Sequence, residues 1–419
     1  MAIVLGRQSA LRVWNGLAAG RSALGCRNVT AGQGSPEDQG SPADQSSPAG
    51  QGSPVNQNSP ADQGSLAERD ALVGRDTFPN QDAAAGPNAH SNRSMPAMFQ
   101  SSRDYRRRLE RDTKAAVKLL ESGAAPAFDP SACAHFFGDE APVHATVAHA
   151  RLRRARGGIE TSVRKGPFHP RSFMQIEDSL YISTPEMAFC EMANVLSLEQ
   201  LIALGLELCG TYRRTSTFGS AQYDAVPLTS PRALAAFVDQ SPQFKGAKKT
   251  RRALAHIVAG SASPRESEVA MLLCLPYSLG GYGLPHPIMN AEMPLPKTVA
   301  ATGRASLRCD LYWPAARLDV EYDSSEYHSA ERLLANDSIR RTALESMGVT
   351  SVNITAEHLR RAPLFDQAVH GIAHILGKRL RLPGDFRLKQ EKLWRELGIV
   401  VVGEGEAFGE ALRESLGEA

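Results

Sequence analysis

Two stretches near the C-terminus alternate apolar and polar side chains with a period of two, which predicts two neighbouring β-strands. In the first stretch, one face carries Leu307, Cys309, Leu311 and Trp313, and the other carries Arg308, Asp310 and Tyr312. In the second, one face carries Leu318, Val320 and Tyr322, and the other carries Asp319, Glu321 and Asp323. The alternation therefore predicts a hairpin with an acidic face.

Other elements are predicted on both sides of this hairpin. We expect helices in "SASPRESEVAMLLCL", at about 329–347 and in "APLFDQAVHGIAHILGKRL", with strands at 281–295 and in "VTSVNIT". The order α-β-β-β-α-β-α predicts a domain of the α/β (α+β) class over residues 262–378, with a mixed sheet flanked by helices. Residues 379–419 are predicted to form a charged tail.

A smaller α+β domain is predicted over residues 99–258. It begins with a charged helix at 99–121 and continues with strands on either side of a Gly-Gly turn, the strand "SLYIS" and a helix that starts at Pro185. Residues 1–30 are expected to belong to the same domain. Residues 31–98 interrupt it with a six-residue repeat close to S-P-x-D/N-Q-G, which has few apolar side chains to bury and is therefore predicted to be disordered.

The overall charge limits the kind of nucleic-acid contact the chain can make. With 47 basic and 45 acidic residues the formal net charge is +2, so any surface that binds nucleic acid must be local. The 6 cysteines occur singly without a CxxC motif, which argues against a zinc ribbon or a disulfide framework. No apolar stretch approaches the ~18 residues of a membrane span, so we expect a cytoplasmic protein.

A tight turn between Ala315 and Ala316 fixes the register of the hairpin. Trp313 then lies opposite Leu318, Tyr312 opposite Asp319, and Asp310 opposite Glu321. Directly opposite side chains have Cβ atoms ~4.5–5.5 Å apart, where two like charges destabilise a hairpin. The register therefore calls for a bridging divalent cation or a raised pKa on one acid. The alternative is a solvent-facing hairpin whose acids pair with Arg308 and Arg317.

Four motifs in this region resemble a family related to the very-short-patch-repair (Vsr) endonucleases of the PD-(D/E)xK superfamily. They are "PRESEVAMLL", "CDLYWP", "RLDVEYDSSEYH" and "DSIRRTALESMGV", and the resemblance covers about residues 262–360. It implies a restriction-endonuclease-like fold and metal-binding roles for Asp310 and Glu321. It also implies site positions for Asp323, Glu266 and His328.

The chain departs from the family pattern at three positions. Asp323 occupies the position of the motif's lysine, Ser324 replaces the usual glycine, and His328 lies one residue further along than usual.

Several of these residues have a structural alternative. The sequence Ser263-Pro264-Arg265-Glu266 is a capping box, so Glu266 is either a helix cap or a site residue. His328 is either a site residue or a loop histidine with a structural hydrogen bond. On the 329–347 helix, Arg340, next to Arg341, contacts a DNA phosphate or pairs with Asp337.

Residues 143–215 resemble the central region of AbiEi-type antitoxin proteins, with a basic strand pair, a short strand and "STPE" at a helix start. The N-terminal "VLGRQSALRVWN" resembles their opening strand and helix, against a transit peptide as the alternative. Two basic runs are candidate phosphate contacts, with a solvated surface as the alternative. They contain Arg151, Arg153, Arg154, Arg156, Arg164 and Lys165, and Lys245, Lys248, Lys249, Arg251 and Arg252.

Together these features lead to the hypothesis of a metal-dependent DNA endonuclease that uses Mg²⁺ or Mn²⁺, in a defence or toxin–antitoxin context. DNA is then the expected partner. The alternative hypothesis is a non-catalytic antitoxin or regulator with a degenerate nuclease fold, which binds DNA, a toxin or another defence-system protein.

The repeat generates a prediction about residues 31–98. Because they have little apolar surface to offset their ordering entropy, their backbone amides should exchange with solvent at the rate of an unstructured chain. Hydrogen exchange followed by mass spectrometry measures this directly. Protection of amides within the repeat would show that the segment is ordered.

Overall fold

A computed structural model gives the structure of this chain and describes residues 3–5, 10–11, 103–123, 143–153, 155–156, 159–177, 180–214, 221–241, 243–295, 306–323 and 340–399. The predicted disordered segment 31–98 lies outside the described residues, as do His328 and Asp337. The described residues all belong to one compact unit. They confirm the predicted mixture of helices and mixed β-sheets.

The strands are β1 (Ile3–Leu5), β2 (Val143–Val147), β3 (Ala155–Arg156), β4 (Ile159–Val163), β5 (Phe173–Glu177), β6 (Leu180–Ser183), β7 (Arg213–Arg214), β8 (Ala221–Gln222), β9 (Ile288–Pro294), β10 (Ser306–Trp313), β11 (Leu318–Asp323) and β12 (Thr350–Thr355). The helices are α1 (Arg103–Glu121), α2 (Pro185–Met192), α3 (Leu198–Leu208), α4 (Pro231–Asp239), α5 (Ala247–Leu254), α6 (Pro264–Cys274), α7 (described over 340–346), α8 (Ala356–Arg360), α9 (Ala362–Ile375) and α10 (Phe386–Leu397). Among these helices, none combines the length and the apolar character needed to cross a membrane.

The first sheet has six strands in the order β3-β4-β2-β1-β6-β5. Strand β1 pairs antiparallel with β2 and parallel with β6, so Ile3–Leu5, which precede the repeat in the chain, form part of this sheet. Strands β3 and β4 pair antiparallel on either side of the predicted Gly-Gly turn. The predicted first strand of that pair is shorter than expected, because a 3-10 turn at Ala150–Leu152 separates β3 from β2, which pairs parallel with β4.

Helix α1 matches the predicted charged helix and has one apolar face. Leu109, Ala116 and Leu120 are buried, together with Asp112, whose carboxylate accepts a hydrogen bond of 3.2 Å from the amide of Gln175 in β5. Most of the arginines on its other side are exposed, as a solvated helix face requires.

The second sheet has the order β12-β11-β10-β9, with β9, β10 and β11 antiparallel and β12 parallel to β11. A 3-10 turn at Pro314–Ala316 connects β10 to β11. It ends at Arg317, whose φ of 47° places it in the left-handed region. This sheet carries the predicted acidic hairpin.

One large set of buried apolar residues, here called the central cluster, extends from the second sheet to the first. It contains Leu311 and Val320 of the hairpin, Leu272 of α6, Phe365 of α9 and Ile182 of β6. A smaller set, here called the α7 cluster, contains Leu307, Cys309, Ala343, Leu344 and Val349. The segments predicted as two domains therefore share apolar contacts.

The central cluster generates a stability prediction. Leu272 has no exposed surface, so Leu272→Ala should lower the free energy of unfolding by about 2–5 kcal/mol through lost burial and a residual cavity. Urea unfolding followed by circular dichroism measures the change. Leu388→Ala on α10 is the matched control, because Leu388 is 70% exposed and its truncation should change stability by less than about 0.5 kcal/mol. Equal effects of the two substitutions would contradict the prediction.

Candidate functional site

The hairpin register agrees with the sequence prediction from the turn as far as Leu311 and Val320, and the predicted pair of Asp310 with Glu321 lies beyond these ladder partners. Trp313 pairs with Leu318, Tyr312 with Asp319 and Leu311 with Val320. The next residues along the two strands are the predicted metal-binding acids Asp310 and Glu321. Each carboxylate accepts a hydrogen bond from a backbone amide of the opposite strand. The amide of Tyr322 donates to Asp310 Oδ2 at 3.0 Å, and the amide of Asp310 donates to Glu321 Oε1 at 3.4 Å.

The predicted apolar face of β10 is wrong at Asp310. Strict alternation places Leu307 and Cys309 on the same face as Leu311 and Trp313. In the structure, Leu307 and Cys309 pack in the α7 cluster, whereas Leu311 and Trp313 pack in the central cluster. The strand therefore changes face at Asp310.

The neighbouring strand β9 changes face at the same level of the sheet. Asn290 has a φ of 50°, a left-handed conformation that breaks the alternation. On either side of it, Ala291 pairs with Cys309 and packs with the α7 cluster, while Met289 pairs with Leu311 and packs in the central cluster. Both strands thus change face at the same level of the sheet.

The face change brings a thiol to the acidic side of the hairpin. Ligand atoms of Cys309, Asp319 and Glu321 all lie within 4.8 Å of one another. Asp319 has no exposed surface, and no N–H or O–H group in the described part of the chain donates a hydrogen bond to either of its carboxylate oxygens. The hypothesis of a fully solvent-facing acidic hairpin is therefore wrong for Asp319.

Arg340 of α7 is the cation that contacts these acids. Its Nη2 donates to Glu321 Oε1 and to the backbone carbonyl of Arg308, and it lies 3.7 Å from Asp319 Oδ2. The alternative partner, Asp337, lies outside the described residues. Arg317, which the solvated-hairpin hypothesis assigned to the acids, instead donates to the backbone carbonyl of Met347 at 3.3 Å.

Burial and like charge make ionisation of this site costly. Burial raises the pKa of the Asp310 carboxyl to about 7, and the charges of Glu321 and Glu266 act in the same direction. Burial also raises the pKa of Asp319, and the neighbouring Glu321 carboxylate raises it further, because two carboxylates so close repel each other when Asp319 is ionised. The Cys309 thiol has a raised pKa through burial and the charge of Asp319.

Glu266 has the contacts of a helix cap and also influences Asp310. The amide of Glu266 donates to Ser263 Oγ at 3.1 Å, and Glu266 Oε2 accepts from the amide of Ala262 at 2.9 Å. The same oxygen accepts from the Asn290 side chain. Because its charge raises the Asp310 pKa, Glu266 is a cap whose carboxylate also belongs to the acidic site.

The remaining predicted residues lie in several places. Asp323 ends β11 and pairs in register with Thr355 of β12, and Arg341 is exposed on α7. The α5 residues Lys248, Arg251 and Arg252 are exposed, whereas Lys249 is partly buried and donates to the backbone carbonyl of Leu196 at 2.8 Å. The α5 residues belong to a different element from the acids, and the structure shows no contact between them and the acidic site among the described residues.

Sequence reasoning did not assign Asp319 or Cys309 to the site. Asp319 shared a face with Glu321 in the alternation, and this signal was available. Cys309 was placed on the opposite face, and the one residue that pointed to the break was Asn290, a residue type enriched in left-handed conformations.

The carboxylates fit the predicted hard metal ions in their chemistry. Asp310, Glu321 and Glu266 offer oxygen atoms alone, the donor type that Mg²⁺ and Mn²⁺ prefer. After burial, the charges of both glutamates are the next causes of the raised Asp310 pKa, so a dication bound at Asp310 would offset that repulsion.

Two uncharacterized proteins of Mycobacterium tuberculosis are each 29% identical to this chain over 119 residues. The match covers 28% of this chain and 40% of each relative, so the chain spans about two fifths of the length of the relatives it matches. No family model matches the chain, and no solved structure matches it significantly. The Vsr-like and AbiEi-like resemblances therefore stay predictions.

The pKa of Asp310 generates a prediction about pH. The folded protein holds this proton up to about pH 7, whereas an ordinary Asp releases it near 3.8, so folding stability falls as pH rises between these values. Asp310→Asn cannot ionise and should lose less stability than the wild type between pH 5 and pH 8. Urea unfolding at both pH values, in the presence of a chelator, measures the difference.

The control for this experiment is Glu345→Gln, which removes an exposed acid from α7 and should lose as much stability as the wild type. Equal pH dependence in wild type and Asp310→Asn would show that Asp310 is ionised normally.

Proposed function

We propose that this chain is a metal-dependent phosphodiester hydrolase that acts on DNA. The observation that carries the proposal is the Asp310 carboxyl of β10, whose pKa is raised by burial and further by the charges of Glu321 of β11 and Glu266 of α6. Burial of an acid beside two other acids costs stability, and a group perturbed in this way is typical of functional sites.

The contacts of the site support roles for these residues. Asp310 and Glu321 would hold Mg²⁺ or Mn²⁺, with Glu266 beside them, and the ion would supply an activated water and a counter-charge for the phosphorane. The amide of Tyr322 orients the Asp310 carboxylate, and the cap contacts of α6 hold Glu266.

A basic surface for the substrate is the second requirement. Helix α5 exposes Lys248, Arg251 and Arg252, and its amphipathic packing buries Ala247, Thr250 and Ala253 on the other side. Three cationic side chains on one exposed face are able to contact the phosphate backbone of DNA, an interaction that does not depend on the DNA sequence. Arg340 and Arg341 are further candidates for phosphate contact.

One observation favours a second candidate function, a non-catalytic DNA- or protein-binding regulator. Arg340 already neutralises Glu321, and Asp323 stands where the related nucleases have a lysine. An acid that is paired in this way needs no metal for its charge balance. In this hypothesis the AbiEi-like region and the acidic site serve a toxin or defence-system partner.

Cleavage of supercoiled plasmid DNA in Mg²⁺ or Mn²⁺ tests the first function. We expect nicking that a chelator abolishes, and a loss of at least about a hundredfold in Asp310→Asn and Glu321→Gln, the scale of losing one charge-stabilising group. Glu345→Gln, which removes an exposed acid from α7, should cleave as the wild type does.

The outcomes separate the two candidates. Cleavage that survives in both site variants would mean that the acids have no catalytic role. Salt-sensitive DNA binding without cleavage under any of these conditions would favour the regulator.

A further inference from the structure

Cys309, Asp319 and Glu321 form a second set of potential ligands beside the site of the proposed hydrolase. Their ligand atoms lie within 4.8 Å of one another, and the three residues come from the adjacent strands β10 and β11. The set exists because β10 changes face at Asp310, which places the thiol on the side of the sheet that carries the acids. Only Glu321 belongs to both sets.

Asp319 is an independent indication that a ligand belongs here. Its side chain has no exposed surface, and neither oxygen accepts a hydrogen bond from an N–H or O–H group of the described residues. Burying an ionised carboxylate without donors costs several kcal/mol unless a charge compensates it. This same carboxylate lies within 4.8 Å of the ligand atoms of Cys309 and Glu321.

We infer that Cys309, Asp319 and Glu321 bind a thiophilic divalent cation of the zinc class. A thiolate favours zinc over Mg²⁺, which prefers oxygen ligands alone. Three protein ligands and one open position are also the arrangement of zinc sites that accept a water or a substrate. On binding, the Cys309 S–H bond breaks, a Zn–S bond forms, and the proton passes to the solvent.

The distances allow this coordination with small side-chain movements. Zn–S and Zn–O bond lengths place sulfur and oxygen ligands of a tetrahedral ion about 3.6 Å apart. The three ligand atoms already lie within 4.8 Å of one another. The thiol donates to the Met293 sulfur at 3.4 Å, and a thioether is a weak acceptor that offers little competition for the thiol.

Arg340 competes with the cation for the same acids. Its guanidinium contacts Glu321 and lies 3.7 Å from Asp319 Oδ2, so a bound cation has to displace it from Glu321. Zinc binding is therefore coupled to release of Arg340 from the sheet. Removal of Arg340 should therefore strengthen zinc binding. A misfolded variant would instead bind zinc more weakly, so the two effects are distinguishable.

Calorimetric titration of the full chain with Zn²⁺, and separately with Mg²⁺, tests the inference. We expect the wild type to bind Zn²⁺, and Cys309→Ser and Asp319→Asn each to lower the zinc affinity by at least about a hundredfold. The loss of a residue that only supports a metal ligand already lowers metal affinity by up to that factor. Cys274→Ser is the matched control. It alters another buried cysteine, which belongs to no metal-ligand cluster among the described residues, and should bind zinc like the wild type.

A second pair of variants keeps the test informative if the ligand variants unfold. Arg340→Gln should bind zinc more tightly than the wild type, by about tenfold or more, the effect of removing one competing interaction of about 1.4 kcal/mol. Arg341→Gln removes the exposed neighbour on α7 and should not change the affinity. With Co²⁺ as the probe, a thiolate-to-metal charge-transfer band should form in the wild type and be absent in Cys309→Ser.

Three results would overturn the inference. The first is no zinc binding to the wild type at about 0.1 mM Zn²⁺, which corresponds to a binding free energy of about 5 kcal/mol. The others are equal zinc affinity in Cys309→Ser and wild type, and weaker zinc binding in Arg340→Gln than in the wild type. These measurements contain no DNA, so failure here leaves the proposed hydrolase untouched. Conversely, zinc binding without DNA cleavage would remove the hydrolase and keep this site.

Discussion

A carboxylate withdrawn completely from water must be protonated or neutralised, and Asp319 imposes this requirement on the second sheet. Its position in β11 is fixed by a register in which Leu318 and Val320 on either side of it pack in the central cluster. The acid cannot turn outward without exposing those two apolar side chains. The surroundings meet this requirement in two ways: burial and the neighbouring Glu321 raise the pKa of Asp319, and Arg340 of α7 lies 3.7 Å from its Oδ2.

The hairpin was predictable because a short turn and a strict period determine which residues face each other. Once the turn lies between Ala315 and Ala316, the opposition of Tyr312 and Asp319 follows from counting residues. The start of α6 was predictable for a similar local reason, since the side chain of Ser263 caps the helix that begins at Pro264. Local hydrogen bonding and side-chain period decide both features, and both are visible in the sequence.

The composition of the acidic site was only partly predictable, because it depends on contacts between distant segments. Strand alternation gives the wrong face for Cys309, because β10 changes face at Asp310, at the same level as the left-handed Asn290 in the neighbouring strand. Arg340 was recognised as a candidate for phosphate contact or for pairing within its own helix. Its contact with Glu321 depends on how α7 packs over the sheet, which helix periodicity does not determine.

Charge balance connects the arginine, the proton and a cation at this site. Ionised Asp319 and Glu321 carry two negative charges, and the guanidinium of Arg340 cancels one of them. The second charge is removed when Asp319 holds a proton, in agreement with its raised pKa. A divalent cation held by these two acids would cancel both of their charges, and with the Cys309 thiolate as a third ligand one negative charge would remain for Arg340 to balance. A cation that displaced Arg340 from Glu321 would leave the guanidinium on the same side of the sheet, where a phosphate is a suitable further partner.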